Sequence, residues 1–158
     1  RDALTCAVIA GLLRWPDALP HHAERLARAG IDDARIGIML DLLDSGRPLE
    51  SSLMASILTE SGCPLPAPED YASLRFGFLA NDAEARFAVA ELAQAIDLLV
   101  ERPALERAIA EATGRFETEL TDETFAEQQR LLQRKLEFDA RLRQMASARS
   151  AEPSGTAT

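Results

Sequence analysis

Residues 82–145 read DAEARFAVAELAQAIDLLVERPALERAIAEATGRFETELTDETFAEQQRLLQRKLEFDARLRQM, and the fold turns on this stretch. Phe87, Leu92, Ala95, Ile96 and Leu99 recur at steps that bring them to one side of a helix, so that side must be buried. Pro103 then interrupts the run. Proline lacks the N–H and clashes with the preceding turn, which predicts a break or kink over Glu101–Ala104. Beyond it, Leu105, Ile109, Ala112 and Phe116 form a narrow seam suited to one partner helix. Leu120-Thr121-Asp122-Glu123 supplies a threonine cap and first-turn acids for a further run that begins near Phe125. The last two runs read as a helical hairpin.

At about 100° per residue, the final run divides its apolar residues between two stripes. Antiparallel pairing puts Phe125 near Phe116 at the turn and Leu136 near Leu105, which assigns Phe125, Leu132 and Leu136 to the seam. Leu131, Phe138, Leu142 and Met145 lie roughly a third of a turn away. Residues after about 138 run past the start of a partner helix that begins beyond Pro103, so this second stripe needs another surface. That surface is either the body of the chain or another protein, and the stripe is the candidate partner-binding face. Arg130, Arg134 and Arg141 line up beside it as a basic strip. The strip faces either Glu101, Glu106, Glu111, Glu117 and Glu119 of the preceding helix or an acidic partner protein.

Upstream, four short helices are expected before Cys63: Arg1–Arg14 with Leu4, Val8, Ile9 and Leu12 inward, Pro20–Ala29, Asp32–Asp44 and Leu49–Ser61. Gly30, Gly46 and Gly62 are the stops. Three prolines, Pro64, Pro66 and Pro68, force an extended connection. Glu69–Leu79 holds enough apolar residues for a fifth short helix, and Asn81 with Glu84 forms a partial capping box for the long run. The predicted architecture is all-α: a helical bundle over residues 1–100, a hairpin over 101–147 and a small, polar, disordered tail over 148–158.

Composition supports that class and narrows the function. Of 158 residues, 47% are apolar but only 5% aromatic, with Ala and Leu dominant, which favours helices over sheets. The net charge of −9, from 26 acids against 17 Lys and Arg, opposes nonspecific phosphate binding, so no direct nucleic-acid ligand is expected. Cys6 and Cys63 have no partner at metal-binding spacing, and two lone thiols fit a reducing cytoplasm. No apolar run reaches the ~20 residues a membrane span needs. The first residue is Arg1 rather than Met, as expected of a fragment of a longer chain. His21 and His22 diverge by about 100° on a helix and cannot chelate one metal together. The acid pairs Asp32/Asp33 and Asp41/Asp44 lack a supporting nucleophile or metal partner, and no phosphate loop or G-x-S-x-G motif is present. A small helical hydrolase is therefore disfavoured, and neither catalytic residues, cofactor nor metal are expected.

The arrangement of five short helices, one long helix and a terminal hairpin resembles the C-terminal helicase-binding domain of bacterial DnaG-type DNA primase. The likeness is carried by Arg1-Asp2-Ala3-Leu4 with Leu12-Leu13-Arg14-Trp15-Pro16, by Phe78-Leu79-Ala80-Asn81-Asp82-Ala83-Glu84-Ala85, and by Leu120-Thr121-Asp122-Glu123 ahead of Leu131. It departs from that family at Phe87, where such domains often carry Trp, and at Pro103, where their long helix continues. The resemblance implies a non-catalytic module that docks a primase on the N-terminal domains of the hexameric replicative helicase, with the zinc-binding and polymerase parts preceding Arg1. It would act as a monomer in the isolated state. The alternatives are a helical adaptor for another protein and the N-terminal domain of the helicase itself.

Overall fold

The structure is a computed structural model that describes residues 2–151, with side chains described as far as Met145. Among the described residues there are six α-helices and no strand: α1 (Ala3–Arg14), α2 (Leu19–Arg28), α3 (Ala34–Asp44), α4 (Ser51–Glu60), α5 (Ala85–Glu119) and α6 (Asp122–Ala151). The fold is all-α, as the composition indicates.

Helix α1 occupies the middle of the bundle, and its side chains explain why. Leu4, Val8, Ile9 and Leu12 are all buried, and so are Cys6 and Ala7, so the helix is apolar almost all round and must be surrounded. Asp2 caps it by accepting from the Thr5 amide at 2.9 Å. The same carboxylate pairs with Arg102 of α5, closing a contact across 100 residues of sequence. Burial alone would raise the Asp2 carboxyl, but the Arg102 guanidinium and the two Thr5 donors outweigh it and hold the pKa at about 2. At α4, Gly62 takes φ 75°, which lets the Gly62 and Cys63 amides turn back onto the carbonyls of Thr59 and Leu58.

Gly11 is closely enclosed in the core. A Cβ there would lie 2.7 Å from the Phe78 ring and 2.8 Å from a Leu92 methyl, and both side chains are fully buried. Glycine inside a helix ordinarily costs about 1 kcal/mol relative to alanine. Here the sign is reversed: Gly11→Ala is expected to lower stability by about 1–3 kcal/mol through overpacking. A urea titration checks this, and a higher midpoint for the variant would mean that the Phe78 and Leu92 side chains can move aside.

Residues 69–79 do not form the expected short helix. They make two 3₁₀ turns, Pro68–Tyr71 and Gly77–Leu79, because their backbone is claimed by distant partners. The Trp15 indole donates to the Phe78 carbonyl at 2.9 Å, and the Phe78 amide donates to Glu91 Oε1 at 2.9 Å. Phe76 and Phe78 stack with ring centres 4.9 Å apart, and both are buried. The partial capping box also fails: α5 starts at Ala85 with Glu84 as its cap residue and no side-chain capping bond. Ala88, not Phe87, faces inward with Leu92, Ala95, Ile96 and Leu99, while Phe87 is exposed under the Arg86 guanidinium.

Helix α5 runs unbroken for 35 residues with Pro103 inside it, so the expected break at Glu101–Ala104 is absent. The expected border between bundle and hairpin, at residue 101, therefore falls within one helix that serves both parts. Proline removes one backbone bond and crowds the turn before it. The helix persists because packing holds both sides of the proline: Leu98 and Leu99 are buried before it and Leu105 after it. The turn into α6 follows the sequence reading. Leu120 adopts a left-handed conformation (φ 38°), and Thr121 and Thr124 cap each other's amides at 3.2 and 3.1 Å. Helix α6 extends to Ala151, so residues 148–151 of the expected tail are helical, and 152–158 lie outside the described residues.

Candidate docking surface

The seam between α5 and α6 lies on the stripe that the sequence left over. Leu131 and Phe138 are 6% and 5% exposed and belong to the main core, with Leu142 and Met145 partly buried against it. Thr124, Leu131, Phe138 and Met145 are spaced seven apart, which is the coiled-coil repeat of an interhelical seam. The opposing positions on α5 are small or medium, with Ala112 and Leu105 buried and Ala108 and Ile109 partly so. The four leftover apolar residues are thus core-facing, which corrects their assignment to a free partner-binding face. The physical reason is the unbroken α5, which continues upstream of Pro103 and so leaves Leu142 and Met145 packed against the core.

Two arginines of the basic strip are tied to α5 of the same chain. Glu101 of α5 sits between Arg134 and Arg141, at 3.6 and 3.4 Å, and Arg115 pairs with Glu127 across the hairpin. Gln128 Nε2 donates to Thr113 Oγ1 at 3.1 Å on the opposite flank. These bonds fix the antiparallel register. The arginines remain more than half exposed, where such pairs contribute little to stability but do orient the helices. Arg130 is exposed.

On α6 the large apolar residues left exposed are Phe125, Leu132 and Leu136, at 49%, 36% and 62%. They are the stripe that the sequence reading had placed in the seam. Phe125 does meet Phe116, with ring centres 5.5 Å apart, but as a rim contact beside the turn. On a helix these residues fall on one line, and Leu120 at the turn, also exposed, adds to the apolar surface of that end. The row gives the outer side of α6 an apolar strip in water.

No protein-family model, curated protein or solved structure matches this chain. Among the described residues no group of three His, Cys, Asp or Glu side chains could hold a metal ion. Asp33 is committed to Arg35, bonded at 2.8 and 3.0 Å, while Asp32, Asp41 and Asp44 lie exposed on the surface. Among the described residues no helix is long and apolar enough to cross a membrane.

Proposed function

We propose that this chain is a non-catalytic docking module of the kind its sequence resembles, the C-terminal domain of a bacterial DnaG-type primase. In this reading the α5–α6 hairpin holds the primase on the N-terminal domain of the replicative helicase in the cytoplasm, coupling RNA primer synthesis to unwinding. The observation that carries it is the exposed row Phe125–Leu132–Leu136 on a hairpin whose other stripe faces the core. The acidic balance of the chain is consistent with a protein partner rather than nucleic acid. Catalysis belongs to other parts of the parent protein.

The docking face in this proposal is the stripe opposite to the one the sequence suggested. Leu136→Ala is expected to weaken binding by about 1–3 kcal/mol as an anchor in a buried contact, and Leu132→Ala by a similar amount. Isothermal titration against the helicase N-terminal domain measures this, with the melting curve of each variant as control. Because Leu136 is largely exposed in the free chain, its loss leaves the melt unchanged. Absence of any heat with the unmodified chain would remove the helicase as the partner. Binding that is indifferent to Leu132 and Leu136 would remove this face.

A further inference from the structure

A second surface, which does not include the exposed row of α6, lies where α2 meets α5. A cavity of about 470 Å³ opens there, lined by His21, Glu24, Arg25, Arg28, Val100, Ala104 and Arg107 among others. That volume is in the range of small-molecule sites. Its lining combines Ala29, Val100 and Ala104 with three arginines, in a chain whose net charge is −9. The concentration of positive charge runs against the composition and has to be accounted for locally.

The charges do not cancel within the site. Arg25 is engaged by Asp97 and by His22 Nδ1 at 2.8 Å. Arg28 pairs with Glu24 one turn away at 2.7 Å, but both side chains are over three-quarters exposed, so that pair is weak and readily exchanged. Arg107 has no carboxylate partner among the described residues: its Nε donates to the Pro103 carbonyl at 3.4 Å, and the guanidinium lines the cavity. Glu106 is the nearest further acid in sequence, and it lines the adjoining depression and faces Arg102 at 3.9 Å. With Asp97 and Glu24 set against Arg25 and Arg28, one cation is left over, beside a second that can be recruited.

We propose that the α2–α5 cavity binds a small organic anion, with one oxyanion head, carboxylate or phosphate, taken between Arg107 and Arg28. A short apolar body would rest on Ala29, Val100 and Ala104. Guanidinium forks suit both kinds of head, since each presents two oxygens to parallel N–H donors. Glu24, which pairs with Arg28 and also lines the cavity, disfavours a ligand that carries a second negative charge.

The test is a two-dimensional NMR titration of the full chain with inorganic phosphate, butyl phosphate and pentanoate in turn, at constant ionic strength. Saturable shifts are expected at the side-chain N–H groups of Arg28 and Arg107 and at the amides of Val100 and Ala104. Butyl phosphate exceeding inorganic phosphate would report the apolar lining, and its comparison with pentanoate identifies the preferred head. Arg107→Ala is expected to weaken binding by about tenfold or more, the worth of a charge-assisted hydrogen bond. Arg107 is exposed, so the variant folds, and an unchanged melt confirms it. Linear shifts of equal size at Arg47 and Arg75, which lie outside the cavity, would show a general ionic effect and overturn the proposal. Saturable binding that survives Arg107→Ala would overturn it as well.

Discussion

Phe138→Ala is expected to lower the stability of the chain by about 3–5 kcal/mol, the cost of emptying a buried aromatic site, while Leu136→Ala stays within about 0.5 kcal/mol of the parent. The two residues are half a turn apart on α6, yet one is 5% exposed and the other 62%. Phe138 belongs to the same core as Leu105, Leu98 and Leu99, and its ring is the largest side chain that α6 contributes to it. For a chain of this length each kcal/mol shifts the melt by roughly 2–4 °C, so the Phe138 variant should melt on the order of 10 °C early. Thermal unfolding followed by circular dichroism separates the two. Equal losses for the two variants would mean that α6 presents no fixed face to α5.

Arg35→Ala is expected to be as damaging, by about 3–5 kcal/mol at neutral pH, because it strands a charge rather than removing a contact. The Arg35 side chain is 9% exposed and its partner Asp33 16%. Arg35 joins three elements: it bonds Asp33 at the cap of α3, the Pro64 carbonyl at 3.2 Å in the extended connection, and Cys6 Sγ at 3.6 Å in α1. Its pKa is raised, first by the Asp33 hydrogen bond. Burial by itself raises Asp33, and the Arg35 bonds more than reverse this, so the folded carboxyl lies below its ordinary value. A depressed carboxyl contributes stability that is present above its unfolded pKa, about 4, and is lost as pH falls through the folded value. Removing Arg35 abolishes that contribution and leaves Asp33 easier to protonate. The deficit of the variant should be largest near pH 7 and shrink toward pH 3, as read from urea midpoints across that range. A deficit independent of pH would assign the loss to packing alone.

The contrast between these helices shows which parts of the architecture local chemistry encodes. Helices α1 to α4 end where Asp2, Gly30, Gly46 and Gly62 place their caps and stops, and the hairpin turn follows from Thr121 and the acids after it. Those signals act over a few residues and are visible in a string of letters. The segment around Phe78 was not legible, because its conformation is dictated by Trp15 and Glu91, which lie 63 and 13 residues away. Pro103 misled for the same reason: its intrinsic penalty is local, but the packing on both sides that overrides it is not. The misplaced faces of α6 followed from that one residue. A partner helix beginning at residue 104 would leave Leu142 and Met145 unsupported, whereas a partner that continues upstream does not. The seven-residue spacing from Thr124 to Met145 was the available sign of the true seam.

Considered mechanically, α5 is a beam about 50 Å long, at 1.5 Å per residue over its 35 residues. Its first half is clamped, with Leu92, Ala95, Ile96 and Leu99 fully enclosed. Its outer half is braced by α6 and carries the Leu120 tip. The bending stiffness of a helix resides in its longitudinal hydrogen bonds, and Pro103 deletes one of them just beyond the clamp. A transverse load at the tip therefore concentrates its flexure at that point, near the Glu101 strut that ties Arg134 and Arg141. Force received by the hairpin is expected to tilt it as a stiff pair on its base, against the Leu105, Leu131 and Phe138 side chains that join it to the core.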